Sequence, residues 1–311
     1  MCSKKVILMG GLGNQLFQYA FSLRLATESG ESVELDPNLG TVRLNGEGNP
    51  ELSSFRIHFD FSPAEPKSTS NFAKRLVGLL IRTHLTAPSF QVRLFNSLLT
   101  IFAKLVLSIH YREIIRLHVS SDAGHNSVDF RKNLFIGYFQ SYIYSNPEIE
   151  REILQKVTPQ NLGESYLDLV KKAASEHPLI VHIRLTDYLT EKKFGIPSYE
   201  YYQRAIETQW ISGKYNKIWL FSDDLSSARD FIPKVFREHI SELNLDEFDS
   251  AQTLNIMRLG FGYVIANSTF SWWAARLSNT RDALVIYPDP WFDAMPTPKE
   301  MCPPNWVSIP R

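Results

Sequence analysis

Short apolar runs, each followed by polar residues, recur through the second half of the chain. Four such runs are rich in β-branched and aromatic residues: Leu179–Ile183, Ile218–Phe221, Tyr263–Ala266 and Ala283–Tyr287. Continuous apolar runs of this length are typical of strands in a parallel sheet, because helices cover both faces of such a sheet. The pattern therefore predicts parallel strands with polar residues at their carboxyl ends.

Segments with helical spacing separate these runs. Ser198 is placed to cap a helix whose apolar residues, from Tyr202 to Ile211, lie on one face. Leu225–Arg237 and Phe270–Leu277 are also predicted to be helical. Alternating strands and helices indicate an α/β fold, and such folds bind ligands at the carboxyl ends of their strands.

The beginning of the chain has the same organisation. Lys5–Met9 predicts a strand, Gly10–Gly13 a tight turn, Gln15–Ala26 a helix with one apolar face and Ser32–Leu35 a second strand. Residues 40–70 hold several Gly, Pro and Ser and are interpreted as a surface excursion.

The length of 311 residues allows two domains of ordinary size. Thr158, Pro159 and Gly163 interrupt the apolar pattern, so the boundary is expected near residues 155–165. This predicts an N-terminal domain over residues 1–158 and a C-terminal domain over 159–311.

Residues 72–118 differ from the rest of the N-terminal half. They hold seven Lys or Arg and a single acidic residue, Glu113, among many apolar residues. Basic amphipathic helices of this kind can lie on anionic membranes. A helical insertion with an exposed basic face is one interpretation, and peripheral contact with a membrane is the other. The sequence leaves both open.

Overall composition narrows the class of protein. Lys and Arg total 33, as do Asp and Glu, so no net charge attracts the chain to nucleic acid. Cys2 and Cys302 are the only cysteines and form no disulfide framework. The apolar run in residues 1–9 is too short for a signal peptide, and no stretch of about 18 apolar residues is present. A cytoplasmic enzyme is expected.

The loop Gly10–Gln15 lies between a predicted strand and a predicted helix, which suits a phosphate or sugar-nucleotide site. Gly11 and Gly13 also imitate part of a dinucleotide fingerprint. The third glycine of that fingerprint is replaced by Leu16, which argues against a nicotinamide-dependent reductase. The glycines could instead serve only the turn, and both interpretations stay open.

The segment His182–Tyr188 follows a predicted buried strand. An arginine at the carboxyl end of a strand, here Arg184, can bind a phosphate through two parallel hydrogen bonds. Asp187 is placed to orient that arginine. The alternative is a purely structural Arg–Asp pair that ties the strand to its loop.

The segment Asn267–Trp273 closes one predicted strand and opens a helix. Backbone N–H groups and hydroxyls at a helix start form an anion site suited to a pyrophosphate. Ordinary helix capping by Asn267, Ser268 or Thr269 uses the same groups, so the two interpretations are compatible.

No metal site is expected. The chain contains no Asp-x-Asp pair, and the side chains of the adjacent Asp223 and Asp224 would point apart in an extended segment. Positive charge on Arg184 and the helix start after Asn267 would then compensate a diphosphate.

Taken together, these motifs resemble the α-1,2-fucosyltransferases of glycosyltransferase family 11. The resemblance extends over nearly the whole chain except residues 40–130. It is carried by Gly10–Tyr19, Gly137–Ser141, His182–Tyr188, Tyr201-Tyr202, Phe221–Asp224, Asn267–Ala275, Pro288–Phe292 and Pro304–Val307.

The resemblance implies a GT-B architecture, with two Rossmann-like domains facing a central cleft. It implies inverting transfer of fucose from GDP-fucose, bound by the C-terminal domain, without metal or cofactor. The acceptor would be a galactose-containing glycan or a lipid-linked oligosaccharide, bound largely by the N-terminal domain and attacking through its 2-hydroxyl. A fucosyltransferase of another linkage or acceptor, and a non-catalytic glycan-binding protein, are the alternatives.

The resemblance also assigns roles. Arg184 would bind the donor phosphates and stabilise departing GDP, Asn14 would lie near the reacting centre, and Asp187 completes the catalytic set. The expected donor contacts are Gly11, Gly13, Asn14, His182, Arg184, Ser222, Asp223, Asn267, Ser268, Thr269 and Ser271. Leu185-Thr186 stands where the family commonly has Arg-Gly, which removes one basic residue beside the donor pocket.

Overall fold

The structure is a computed structural model that describes residues 4–55, 57, 68–84, 90–120, 128–159, 163–186, 194–212, 214–295, 297 and 300–311. The chain divides into two compact units. The N-terminal unit comprises Met1–Lys156 and Pro298–Met301, and the C-terminal unit comprises Val157–Thr297 and Cys302–Arg311. Each unit has its own parallel sheet flanked by helices, which confirms the predicted α/β fold with two Rossmann-like units.

The sheet of the N-terminal unit has four parallel strands in the order β2-β1-β4-β3. The strands are β1 (Lys4–Ile7), β2 (Val33–Asp36), β3 (Leu117–Val119) and β4 (Leu134–Ile136). Helix α1 (Leu12–Ser29) connects β1 to β2, and α4 (Pro147–Val157) follows β4. The predicted strand and helix at the start of the chain are confirmed within three residues at each boundary.

Two long helices, α2 (Ser68–His84) and α3 (Phe90–Tyr111), precede β3. Leu80 of α2 and Leu107 of α3 are buried in one hydrophobic core with strand residues of the sheet. Short 3₁₀ helices lie at Glu51–Phe55 and Tyr142–Tyr144. Residues 40–70 are not wholly a surface excursion, because Leu52 and Phe55 are buried.

The sheet of the C-terminal unit has five parallel strands in the order β6-β5-β7-β8-β9. The strands are β5 (Leu179–Ile183), β6 (Ile218–Ser222), β7 (Gly262–Val264), β8 (Leu284–Asp289) and β9 (Val307–Pro310). The helices are α5 (Glu164–Glu176), α6 (Tyr199–Trp210), α7 (Leu225–Ala228), α8 (Ser250–Met257) and α9 (Thr269–Arg276). The four predicted strands are confirmed, and the sequence pattern missed β9.

One helix prediction was right and another was wrong. The Ser198 side chain accepts a hydrogen bond from the backbone N–H of Tyr201 at the start of α6, as predicted. The predicted helix over Leu225–Arg237 is wrong, because α7 ends at Ala228 and two 3₁₀ turns follow. Pro233 separates those turns, since proline lacks an N–H and disfavours helical backbone in the residue before it.

The strand order in each sheet reverses at one place. In the C-terminal unit the chain adds β6 on one side of β5 and then places β7 on the other side. In the N-terminal unit the corresponding reversal lies between β1 and β4. Ligands of doubly wound sheets bind at the carboxyl ends of the strands that flank such a reversal. Among the residues that the structure describes, no helix is long and apolar enough to cross a membrane.

Candidate functional site

Arg184 directly follows β5, the strand at the reversal in the C-terminal sheet. All five residues of β5 are buried, so the position of its carboxyl end is fixed by the core. The Nε atom of Arg184 lies 3.3 Å from Oδ2 of Asp223, and both side chains are mostly buried. The sheet therefore holds a guanidinium group at the place where a ligand is expected.

Asp223 holds both Arg184 and the turn after β5. Its carboxylate accepts hydrogen bonds from the backbone N–H groups of Leu185, at 2.9 Å, and Thr186, at 3.0 Å, and from the Thr186 hydroxyl. Partial burial opposes ionisation, but these hydrogen bonds and the charge of Arg184 outweigh it and hold the pKa of Asp223 below its usual value. Asp223 is thus an ionised partner of Arg184, and its oxygens are directed at the chain itself.

His182 lies two residues before Arg184 in β5 and is 5% exposed. Burial, followed by the charge of Arg184, lowers the pKa of His182 from 6.5 to about 3, against a smaller opposing effect of Asp223. The imidazole is therefore neutral at physiological pH. Its buried Nδ1 atom has no hydrogen-bond partner in the described part of the chain.

Helix α9 begins beside this arginine-bearing end, because β7 pairs directly with β5. Ser268 is the N-cap residue of α9, and its hydroxyl accepts a hydrogen bond from the backbone N–H of Phe270 at 3.3 Å. Thr269, the first helical residue, is partly exposed. The first turn of a helix presents backbone N–H groups without intrahelical acceptors and favours an anion.

Three of the expected donor contacts serve the local structure. The Asn267 amide donates to the backbone oxygens of Phe194, at 2.9 Å, and Gly195, at 3.1 Å. Ser271 is fully buried, and its hydroxyl donates to the Ser268 carbonyl. The Ser222 hydroxyl accepts from the Asp224 N–H at 3.1 Å, within the turn after β6.

Helix α6 supports the strand ends through buried side chains, a role that sequence reasoning did not assign. The Tyr202 hydroxyl donates to the His182 carbonyl at 3.2 Å, and the Tyr201 hydroxyl donates to the Ile265 carbonyl at 2.7 Å. Gln209 donates to the carbonyl oxygens of Tyr263 and Leu284. These contacts bind the helix to β5, β7 and β8, and so keep the strand ends in place.

The glycine loop lies at the reversal of the N-terminal sheet, but its helix start already has an anion. Gly10 adopts a positive φ of 74°, where a side chain would be strained. The Glu51 carboxylate accepts a hydrogen bond from the backbone N–H of Leu12 at 2.7 Å. Gly11 and Gly13 therefore shape a turn closed by an internal carboxylate, which gives no support to their predicted contact with donor phosphates.

Asn14 meets the motif that follows β4. Its Oδ1 atom accepts a hydrogen bond from the Gln140 side chain at 2.9 Å. Gln18 of α1 donates to the carbonyl of Gly137 at 3.0 Å in the same motif. Hydrogen bonds across 119 and 126 residues of sequence thus join two segments at the reversal point of this sheet, and they fix the Asn14 carboxamide at its edge.

Asp187, expected to orient Arg184, lies outside the described residues, and the acid seen beside Arg184 is Asp223. Within the described ranges, no group of three or more His, Cys, Asp or Glu side chains is arranged to hold a metal ion. Sequence reasoning also missed Glu51, because no pattern connects it with the loop that it caps.

Known proteins are similar to this chain over nearly its whole length. The family model of glycosyl transferase family 11 matches residues 3–310. An alpha-1,2-colitosyltransferase of Escherichia coli is 28% identical over 97% of this chain and 97% of that protein. The O-antigen biosynthesis glycosyltransferase WbnK of Escherichia coli is 26% identical over 97% of this chain and 99% of that protein.

A solved structure of the fucosyltransferase NodZ from Bradyrhizobium is 13% identical, with a TM-score of 0.42 over 89% of this chain and 93% of that chain. A structural similarity of that size supports no statement about the site. The family model establishes family membership, since it covers almost every residue from the first strand to the last. The chain belongs to glycosyl transferase family 11.

Proposed function

We propose that this glycosyltransferase moves L-fucose from GDP-β-L-fucose to the 2-hydroxyl of a galactose-containing glycan, with inversion at the anomeric carbon. The observation that carries the proposal is the group at the reversal of the C-terminal sheet: Arg184 fixed by Asp223, next to the start of α9. The family and the named linkage of the colitosyltransferase relative support the same class of reaction.

The diphosphate of the donor is placed against Arg184 and the first turn of α9. When the glycosidic bond breaks, negative charge grows on the β-phosphate oxygen, and groups that are already oriented towards it lower the barrier most. Arg184 meets that requirement because its guanidinium is held by an ionised carboxylate. Thr269 and Ser268 would add backbone and hydroxyl donors from α9.

His182 would complete the same pocket as a neutral group. A protonated imidazole beside Arg184 would add a second buried positive charge, but burial keeps the ring neutral. Its unpartnered Nδ1 atom would then accept from, or donate to, a polar group of the nucleotide or sugar. Asp223 acts differently in this scheme, as a positioning residue for Arg184.

The N-terminal unit would bind the acceptor. Asn14, held by Gln140, is the residue that we propose to contact the attacking sugar. The donor phosphates are not assigned to Gly11 and Gly13, because the Glu51 carboxylate already accepts from the Leu12 N–H at that helix start. In this scheme the hydroxyl attacks the face opposite the diphosphate, the bond between the anomeric carbon and the diphosphate breaks, and the hydroxyl proton is released to water.

A second candidate donor is favoured by one comparison. Colitose is L-fucose without its 3-hydroxyl, and one relative is named for the transfer of colitose. A donor pocket that hydrogen-bonds the 3-hydroxyl would reject the deoxy sugar strongly, whereas a pocket with an apolar surface there would accept both.

The test is a transfer assay with each GDP-sugar and a panel of β-galactosides, followed by determination of the product linkage by NMR. Transfer of fucose to the 2-hydroxyl, with an α-linked product, is expected. A different linkage would show that the 2-hydroxyl is not the attacking group. Preference for the 3-deoxy donor would show that colitose, and not L-fucose, is the transferred sugar. If neither GDP-sugar binds, the alternative of a non-catalytic glycan-binding protein is favoured.

A further inference from the structure

Helix α3 carries a row of apolar side chains that nothing in the described part of the chain covers. We call the row the α3 stripe. Its members are between 48% and 67% exposed: Phe95, Leu98, Ile101, Phe102, Leu105 and Ile109. Their spacing of one, three or four residues places them on one side of the helix. Exposed apolar patches of this extent mark interaction sites more often than chance.

The other side of α3 is also apolar, but it is used within the unit. Leu99, Ala103 and Leu107 are buried in the core that contains the N-terminal sheet. Among the described residues, this core uses one apolar side of α3. The α3 stripe lies outside that core and is available for another contact.

Helix α2 places positive charge beside the stripe. Phe72 of α2 packs edge-to-face on Phe102 of the stripe, with ring centroids 6.2 Å apart. Arg75 and Arg82 are exposed and share one side of α2 with Phe72, because they follow it by three and ten residues. We call these two arginines the basic rim. Residues 68–112 contain no Asp or Glu, so no acid within this segment neutralises the rim.

The charges decide between two possible occupants. A second copy that met this surface in a two-fold symmetric contact would bring both basic rims into one interface, where like charges repel. An anionic bilayer surface suits both parts, because its phosphates attract the rim and its acyl boundary accepts the stripe. Since Leu99, Ala103 and Leu107 hold the other side of α3 in the core of the unit, α3 would lie in the plane of the surface.

We propose that the α3 stripe and the basic rim dock this glycosyltransferase on an anionic lipid surface. The inference does not depend on the donor or linkage assigned above, because it rests on a surface of the N-terminal unit alone. It makes binding sensitive both to the apolar residues and to the charge of the lipid.

The first test is vesicle flotation of the full-length protein with phosphatidylcholine alone and with phosphatidylcholine plus phosphatidylglycerol. The variant Leu98→Gln/Leu105→Gln is expected to lose at least tenfold in affinity for the anionic vesicles. The matched control, Ile211→Gln/Val235→Gln, changes two exposed apolar residues of the C-terminal unit and should bind as the wild type does.

The second test separates local charge from net charge. Arg75→Glu/Arg82→Glu and Lys214→Glu/Lys234→Glu change the net charge equally, but only the first pair lies in the rim. Binding to anionic vesicles should fall at least tenfold for the rim variant and by less than threefold for its control. Raising the salt concentration should weaken wild-type binding, because it screens the rim.

Three outcomes would overturn the proposal: no preference of the wild type for anionic vesicles, full binding by the stripe variant, or lipid-free dimers that the stripe variant abolishes. The last would make the surface a self-association site. Circular dichroism and transfer to a water-soluble acceptor check that each variant is folded, and Leu98→Ala/Leu105→Ala replaces a glutamine variant that does not fold.

Discussion

Asp223 Oδ2 lies 3.3 Å from Arg184 Nε, and the two residues directly follow a pair of matched positions in neighbouring parallel strands. Ile183 of β5 pairs with Ser222 of β6, so the next residue of each strand emerges at the same edge. The register of the sheet thus sets this ion pair. It also means that the guanidinium is oriented before a donor arrives.

Replacement of Arg184 by alanine should lower kcat by about 10²–10³, because it removes a fixed positive group from the developing charge on the leaving diphosphate. The kcat of Arg184→Lys should lie between those of the wild type and Arg184→Ala, since a lysine keeps the charge but loses the planar donor pair. Steady-state kinetics with saturating GDP-fucose measures both. Arg229→Ala, which breaks an exposed ion pair with Glu242, is the control and should retain wild-type kcat. Near-normal turnover by Arg184→Ala would show that Arg184 does not stabilise the leaving diphosphate.

Replacement of Asp223 by asparagine should act through Arg184. The variant loses the charge that orients the guanidinium, so kcat/KM for the donor should fall by about tenfold. In Arg184→Ala/Asp223→Asn the second change should add little, because its target is gone. Asp224→Asn, at the neighbouring N-cap position of α7, is the control and keeps a capping side chain. Fully additive losses would mean that Asp223 has a separate function.

His182 should make the stability of the C-terminal unit depend on pH. Burial lowers its pKa to about 3, so folding favours the neutral ring. The stabilisation that the neutral His182 ring gives the folded state is complete above pH 6.5. It is lost as the pH falls towards 3, at about 1.4 kcal/mol per pH unit. Between pH 7.5 and pH 5, the free energy of unfolding of the wild type should fall by about 2 kcal/mol more than that of His182→Gln.

Urea unfolding of both proteins at the two pH values checks this difference. Other groups that titrate in the range, such as His118, whose pKa burial lowers to about 4, contribute equally to the two proteins and cancel. An equal loss in the wild type and the variant would show that His182 ionises freely in the folded chain.

Removal of the Glu51 carboxylate should affect stability rather than donor binding. Glu51→Ala leaves the Leu12 N–H without its buried acceptor, at a cost of about 1–2 kcal/mol in the free energy of unfolding. KM for GDP-fucose should not change, because the proposal assigns the donor phosphates to the other unit. Glu47→Ala, at an exposed neighbour, is the control. A large change in donor KM with normal stability would mean that the glycine loop binds the donor phosphates.

Chelation should leave activity in place. Since the proposal assigns the diphosphate charge to Arg184 and α9, transfer measured in excess EDTA should stay within about twofold of the untreated rate. Loss of transfer with EDTA, restored by added Mn²⁺, would contradict the assignment.

Local patterns were sufficient for much of the fold. The run Leu179–Ile183 was predicted with its observed boundaries, because a buried parallel strand is apolar throughout and ends where polar residues begin. The Ser198 cap was readable for a similar reason, since capping acts within three residues. The predicted helix from Leu225 failed because Pro233 interrupts a segment whose apolar spacing looked continuous.

Contacts between distant segments could not be predicted in this way. Nearness in sequence suggests Asp187 as the partner of Arg184, whereas Asp223 reaches Arg184 through the pairing of β5 with β6. Glu51 approaches Leu12 across 39 residues, and no periodicity marks that approach. The strand order that brings such residues together is a property of the whole sheet.

The division of the chain into two compact units bears on how this enzyme can acquire new specificities. The ion pair of Arg184 and Asp223 depends on the pairing of β5 with β6, and its strands belong to the core of the C-terminal unit. Substitution or recombination within residues 4–156 leaves that core untouched. In the proposed scheme, exchange of the first half of the gene between relatives would change the glycan acceptor and keep the leaving-group chemistry.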